Sequence, residues 1–171
     1  MKQIWPLQVG NQWTYEDQRL DTAGNVLQLD TTIWQVEKDT MIQGETWYIF
    51  TINGVRDPEV PPGTERSDGV WGWDGSSAFL AWKYPAAVGD TFMIMTDTAT
   101  VESLDDTVTV PSGTFVCLCY KWVGTRDPDR DYQCHYMSPG TGRVLSEEYF
   151  RTTGGFVYVL FRYLLISYSV H

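Results

Sequence analysis

The stretch WPLQVGNQWTYE, residues 5–16, has a near copy in YPAAVGDTFMIM, residues 84–95. Both contain a proline, then Val-Gly after two residues, then Asn or Asp, and an aromatic residue two positions later. Glycine adopts the positive φ that a tight turn requires, and Asn or Asp tolerates that conformation and hydrogen bonds its own backbone. The aromatic residue then begins a strand by packing inward. We therefore predict that Gly10 and Gly89 lie in equivalent turns, at the starts of two similar halves.

Apolar and polar residues alternate at a period of two on both sides of these turns, and no long segment has the three-four spacing of a helix. Turn-forming residues separate the apolar runs, for example at Asp74-Gly75 and at residues 111–113. The pattern predicts one long strand from residue 91 that turns at Asp105-Asp106. It also predicts a β-bulge near Ile33, where the apolar phase shifts by one residue.

Loops this short favour antiparallel neighbours, because parallel strands require long crossover connections. The pattern indicates roughly ten strands, and a sheet of that size must curl, split or close. We predict that residues 1–171 form a single all-β domain. Its architecture would be an antiparallel meander curled into an open or closed barrel, with a two-sheet β-sandwich as the alternative.

The charge of the chain limits its partners. The formal net charge is −10 and lysines and arginines form no cluster, which predicts no nucleic-acid partner. The longest apolar run, residues 155–170, is interrupted by Arg162 and is too short for a membrane-spanning helix, so it predicts a buried strand. The opening residues MKQIWPLQ lack the apolar core of a signal peptide. A cytoplasmic protein or a mature segment is therefore expected.

Three segments carry a family resemblance: PLQVGNQWTYE from Pro6, TVPSGTFVCLCYKW around residues 110–115, and YMSPGTGRVLSEEY from Tyr136. With VGDTF, they resemble a family of bacterial β-rich proteins of unknown function, many of which are similar to secreted proteins or lipoproteins. The resemblance covers most of the chain, and its motifs are structural turns. It implies an extracytoplasmic or cell-envelope location and no catalytic residues.

Aromatic residues provide the main indication of a binding site. Trp71 and Trp73 are two positions apart and point to one side of a predicted strand, and Trp82 and Tyr84 follow at the same parity. The preceding loop, residues 56–68, is rich in Pro and Gly, and long loops in compact domains are often functional. These four aromatic residues are the predicted ligand site. Rings that face a cavity would favour an apolar ligand, and an outward flat pair would favour a sugar, with core packing as the alternative.

A hairpin loop carries a predicted metal site. Asp127, Asp129 and Asp131 stand at alternate positions, a spacing at which carboxylates can wrap a calcium ion. The EF-hand pattern would require Gly at Tyr132 and Glu at Ser138, and both are missing. A solvated hairpin tip is the alternative, and no other cofactor is expected.

The three cysteines are Cys117, Cys119 and Cys134. Buried free thiols are expected, with a disulfide between Cys119 and Cys134 as the alternative. Alternation along a strand places Cys134 and His135 on opposite faces, which disfavours a zinc site or a Cys-His catalytic pair.

No nucleophile motif is present, and the paired acids Asp105-Asp106 and Glu147-Glu148 point to opposite faces of a strand. The sequence therefore predicts a protein without enzymatic activity. The first hypothesis is a β domain that binds a small apolar or amphipathic ligand. The alternatives are a structural or protein-interaction domain of a cell-envelope protein, and a carbohydrate-binding module. A hydrolase ranks last.

Overall fold

The computed structural model describes residues 2–124 and 129–171, and the described residues form strands and turns without a helix. Twelve strands lie within the described residues: β1 (Gln12–Leu20), β2 (Val26–Ile42), β3 (Glu45–Ile52), β4 (Gly63–Arg66), β5 (Gly69–Trp73), β6 (Ala78–Lys83), β7 (Thr91–Ile94), β8 (Asp97–Val110), β9 (Gly113–Val123), β10 (Arg130–Ser138), β11 (Gly142–Arg151) and β12 (Val157–Ser169). The all-β prediction is confirmed. No described residue belongs to a helix long and apolar enough to cross a membrane.

All twelve strands belong to one antiparallel sheet in the order β6-β5-β4-β3-β2-β1-β12-β11-β10-β9-β8-β7. The first and last strands are paired, from Gln12 with Ser169 to Arg19 with Phe161. Strands β6 and β7 are the two ends of the sheet and are not joined by a ladder. The sheet is therefore a nearly closed barrel with one seam between β6 and β7, and the curled-meander prediction is confirmed over the sandwich.

The barrel consists of two six-stranded meanders, β1–β6 and β7–β12, joined by the β1–β12 ladder. The two repeated phrases precede β1 and β7, the first strand of each half. Gly10 has φ 95° and Gly89 has φ 87°. The N–H of Gly10 donates to the carbonyl of Val36 at 2.9 Å, and that of Gly89 donates to the carbonyl of Val101 at 2.8 Å. The predicted equivalence of the two turns is confirmed.

The long strand predicted from residue 91 is divided in the structure. Ile94 pairs with Asp97, so β7 and β8 form a hairpin whose turn contains Met95 at φ 54°. A non-glycine residue makes this turn, which is why the turn-residue pattern did not indicate it. The predicted turn at Asp105-Asp106 was wrong. Both residues lie inside β8, where the register with β9 shifts and the strand bulges instead of reversing.

Three smaller expectations also change. The predicted loop at residues 56–68 contains strand β4, so the irregular segment ends at residue 62. The bulge in β2 lies between Val36 and Lys38, whereas Ile33 belongs to a regular ladder with β1. Strand β12 is half-buried along most of its length and only Leu165 is fully buried, because its outer face remains open to solvent.

The segment before β1 enters the barrel and is called the plug, residues 3–7. Ile4, Trp5 and Leu7 are buried in the hydrophobic core. The carbonyl of Gln3 accepts a hydrogen bond from Gly140 at 2.6 Å, and the carbonyl of Pro6 accepts one from the Asn11 side chain at 2.9 Å. The plug is therefore fixed both to the β10–β11 turn and to the start of β1.

Trp5 is the central residue of the plug. Its ring packs against Trp13, Trp34, Phe50 and Trp82, with ring centroids 5.6–6.4 Å apart. These partners come from four different strands, β1, β2, β3 and β6. Trp5 thus links the walls of the first half of the barrel from inside.

Gly142 leaves room for the Trp5 ring. A Cβ atom at Gly142 would lie 2.6 Å from Cδ1 of Trp5, and Gly142 has φ 93°. Both the space and the backbone conformation therefore require glycine at this position.

Candidate functional site

A cavity of about 300 Å³ lies within the barrel beside the seam and is open to solvent on one side. Its walls come from the plug, from the loop before β4 and from every strand except β1 and β12. The lining residues are Trp5, Trp34, Phe50, Glu59, Val60, Pro61, Pro62, Gly63, Val70, Trp71, Gly72, Phe79, Ala81, Trp82, Ile94, Met95, Asp97, Trp122, His135 and Arg143. Both sides of the seam contribute, since Phe79 and Trp82 lie on β6, whereas Ile94 ends β7.

Aromatic rings form most of the inner wall. Trp82 stacks on Trp122 with centroids 4.7 Å apart and packs edge-on against Trp5 at 6.4 Å. His135 lies 4.3 Å from the Trp122 ring and 5.2 Å from the Trp82 ring. Rings held by several neighbours keep their positions, so the wall is largely formed before any ligand arrives.

His135 contributes a neutral imidazole to this wall. Burial lowers the pKa of His135 to about 3, and the charges of Arg143 and Arg130 act in the same direction. The Gln133 amide nitrogen donates to Nε2 at 2.9 Å in the orientation that also lets the amide oxygen accept from Arg130. Nδ1 then carries the proton and donates to the Ser146 hydroxyl at 2.8 Å. Both ring nitrogens are therefore occupied.

Arg143 is the one cationic side chain among the lining residues. Its guanidinium carbon lies 4.3 Å from the centroid of the Tyr15 ring and 4.8 Å from that of Trp34, which is cation–π geometry. None of the ion pairs within residues 2–124 and 129–171 includes Arg143. The nearby Asp17 is half-buried, and burial raises its pKa while the charge of Arg143 partly offsets that rise.

Three lining residues carry buried hydrogen-bond donors without a partner in the described chain: Nε1 of Trp5, Nε1 of Trp122 and Nε of Arg143. Native proteins pair nearly all buried donors, so an unpaired group requires an explanation. All three groups can only donate. Neighbouring protein atoms cover these three donors, so a ligand reaches them only after the side chains shift.

Trp71 and Trp73 lie on one face of β5, as the sequence predicted, but their rings are on the outer side. Val70 on the same strand points into the core, and alternation directs Trp71 and Trp73 the other way. Trp73 packs against Trp47 at 5.7 Å, and Arg66 lies over the Trp71 ring at 4.5 Å. Residues 70–72 of β5 still contribute to the cavity wall.

Trp82 lies inside the barrel and does not share a face with Trp71 and Trp73. The pairing of β5 with β6 shifts by one residue after Val70, and this bulge moves Trp82 to the interior. Tyr84 follows the end of β6 and lines a separate surface groove with Leu104 and Val116. The four predicted residues therefore lie on the outer face of β5, inside the barrel and in a surface groove. The bulge places Trp82 inside, and Tyr84 lies beyond the end of β6.

The predicted calcium site stays a prediction. Asp127 lies outside the described residues. Asp131 forms a salt bridge with Arg151, with an N–O distance of 2.9 Å. In the part of the chain that the structure describes, no three His, Cys, Asp or Glu side chains come together as a metal site.

Cys117, Cys119 and Cys134 are buried free thiols. Cys119 pairs with Tyr136 and Cys134 pairs with Lys121, so Cys119 and Cys134 are diagonal neighbours on β9 and β10. Burial raises the pKa of Cys117 to about 12, and the pKa of Cys119 is raised by its contact with Cys134 and by burial. These thiols belong to the packing of the sheet.

Comparison with known proteins supports the fold. No protein-family model matches the chain, and no curated protein matches its sequence. A candidate lipoprotein of Parabacteroides distasonis has a similar structure, with a TM-score of 0.58, 15% identity, and coverage of 98% of this chain and 99% of the other. A candidate exported protein of Bacteroides fragilis with a YmcC-like fold gives a TM-score of 0.57 at 15% identity, covering 99% and 100%. At this identity, the likeness shows the fold alone.

Proposed function

We propose that this protein is a non-enzymatic β-barrel that binds a small apolar or amphipathic molecule inside the barrel. The observation that carries this proposal is the 300 Å³ cavity walled by tryptophan rings. Ligand sites are typically concave, mostly apolar and largely formed in advance, with a few polar groups for orientation. The seam between β6 and β7 provides a route to the cavity, since no backbone ladder has to break there.

The arrangement around His135 supports the absence of catalysis. The Ser146 hydroxyl contacts His135, which superficially resembles a nucleophile and its base. However, Ser146 is only 1% exposed and does not line the cavity. Nδ1 carries the proton in this contact, so it cannot accept one from Ser146. The pair is better explained as a structural hydrogen bond.

We extend the proposal to an extracytoplasmic location at the cell envelope. Its support is the full-length likeness to a candidate lipoprotein and a candidate exported protein. Expression of the epitope-tagged native gene in a Bacteroidetes host, followed by fractionation, would test the location. Recovery of all the protein in the cytosol would refute it.

Binding in the cavity can be tested with 1-octanol, a neutral amphipathic molecule, by following tryptophan fluorescence. Ala81→Phe places a ring in the cavity, because Ala81 lines it. Ala78→Phe is the matched control on the same strand, at a position that pairs with the outward Trp73. We expect saturable binding that Ala81→Phe weakens about tenfold or more and Ala78→Phe retains. An unchanged spectrum, or equal effects of both variants, would refute the proposal and leave a protein-interaction domain.

The outward positions of Trp71 and Trp73 favour carbohydrate binding as a second candidate function. Rings on the outer face can stack on a sugar, and the Trp71 indole already donates to Asp68 at 2.8 Å. Titration with oligosaccharides should then change tryptophan fluorescence in the native protein and not in Trp71→Ala. A response that survives this substitution would exclude the outer face as the site.

A further inference from the structure

We infer that the molecule bound in the cavity carries an anionic, carboxylate-type head group on a short apolar body, with the head group held by Arg143. This inference rests on the proposed function and names the chemical class of its ligand. Three features of the cavity support it: its charge, the unpaired donors of its lining residues, and its size.

The charge is arranged with the cation inside and the acids toward the opening. Arg143 lies over interior rings of β1 and β2, whereas Glu59 is exposed on the loop before β4 and Asp97 begins β8 beside the seam. His135 is the remaining titratable lining residue, and it is neutral because burial lowers its pKa to about 3. The inner cavity therefore presents one positive charge, which attracts an anion once that anion has passed the opening.

The charge of Arg143 acts on the pKa of the Asp17 carboxyl, but the two side chains form no ion pair. One oxygen of Asp17 accepts a hydrogen bond from Thr32, and the other is buried without a partner in the described residues. A ligand can therefore pair with the Arg143 guanidinium without breaking an internal ion pair.

The unpaired donors of the lining residues favour a ligand whose head group accepts hydrogen bonds. Nε of Arg143 and Nε1 of Trp122 are buried and unpaired, and both residues line the cavity. Nε1 of Trp5 is also unpaired and lies on the side of the ring that faces Gly142, next to Arg143 in the chain. A carboxylate accepts up to four hydrogen bonds and donates none, so it satisfies such a set once the side chains turn their covered donors toward it. An ammonium or an alkane would leave these donors unpaired.

The size limits the body of the ligand. A cavity of about 300 Å³ corresponds to roughly ten groups of the size of water, at about 30 Å³ each. Octanoate has about this number of non-hydrogen atoms. Its chain would run along the rings of Phe50, Phe79 and Trp82 toward the seam, where the wall is apolar.

The test compares octanoate, 1-octanol and octylammonium by calorimetry at pH 7.5, because they share one chain and differ in the head group. We expect octanoate to bind about tenfold or more tightly than 1-octanol, and octylammonium to bind more weakly than either. Arg143→Met should reduce the preference for octanoate over 1-octanol to within about threefold, because the neutral hydroxyl loses less than the carboxylate when the cation is removed. Arg66→Met is the matched control, since Arg66 also stacks on tryptophan but on the outer face.

Trp122→Phe provides a second variant in case Arg143→Met does not fold. It removes the Nε1 donor and retains a ring, so the affinity for octanoate should fall about threefold or more and the affinity for 1-octanol should fall less. Equal affinity for octanoate and 1-octanol in the native protein would overturn this inference and leave the proposed function intact. Tighter binding of octylammonium would also overturn it. Failure of all three molecules to bind would refute the proposed function itself.

Discussion

Replacement of Trp5 tests whether the plug stabilises the barrel. Trp5 is 7% exposed and touches rings from four strands. An aromatic side chain buries about 150–250 Å², which at about 25 cal/mol per Å² corresponds to about 4–6 kcal/mol of transfer free energy. Trp5→Ala should therefore lower the free energy of unfolding by about 3–5 kcal/mol, the usual range for such a truncation. Urea denaturation followed by far-UV circular dichroism measures this quantity.

A paired comparison separates ring packing from hydrogen bonding. Nε1 of Trp5 has no partner in the described residues, whereas Nε1 of Trp13 donates to the carbonyl of Thr141 at 2.5 Å. Trp13→Phe leaves that carbonyl unpaired in the core and should lower stability by about 1–3 kcal/mol more than Trp5→Phe. If Trp5→Phe lowers stability as much as Trp13→Phe, the donor of Trp5 has a protein partner and our reasoning is wrong. A loss below about 1 kcal/mol for Trp5→Ala would show that the plug is dispensable.

Three further predictions follow from single residues. Gly10→Ala and Gly89→Ala should each lower the free energy of unfolding by about 1 kcal/mol, because both positions have positive φ. Gly154→Ala is the control, since Gly154 has an ordinary φ. An equal loss of stability in Gly154→Ala would show that positive φ is not the cause. His135 has a folded pKa of about 3 against about 6.5 when unfolded, so the unfolded chain binds the proton first as the pH falls. The stability that neutral His135 contributes is therefore complete above about pH 6.5 and declines toward pH 3 by up to about 1.4 kcal/mol per pH unit. Denaturation at several pH values should show that the free energy of unfolding of His135→Gln falls less steeply in acid than that of the native protein. An unchanged slope would show that His135 does not cause the decline. Cys117, with a pKa of about 12, should react with iodoacetamide at pH 8 only after unfolding in urea; rapid labelling of the native protein, seen by mass spectrometry, would contradict its burial.

The architecture was predictable because glycine and its neighbours mark most of the turns. The repeated phrase identified Gly10 and Gly89, whose positive φ few other residue types adopt easily. The β7–β8 turn was missed because Met95 takes positive φ without a glycine signal. The bulge at Asp105-Asp106 was mistaken for a turn, since polar residues inside a long strand resemble the end of one.

The candidate site was less predictable because it depends on contacts between distant strands. Period-two parity placed Trp71 and Trp73 together correctly, but one bulge sent Trp82 to the opposite face. Arg143 follows a turn glycine and resembles an ordinary surface charge in the sequence. Nothing local indicates that it lies against Trp34, more than one hundred positions earlier in the chain. Trp5 stands within the repeated phrase, and its position before Pro6 was the one available signal.

The β1–β12 ladder has a consequence for how the chain reaches its native state. The ladder pairs Gln12 with Ser169, so β1 cannot form its native pairing until a strand about 150 residues later in the chain is available. A fold with such high contact order forms slowly, because loop-closure entropy is lost before the long-range pairing compensates for it. Until β12 is complete, the unpaired backbone groups on one edge of β1 can form hydrogen bonds with a strand of another chain. The period of synthesis between these two strands is therefore when the chain is most exposed to aggregation, and the last thirteen residues of the sheet end that exposure.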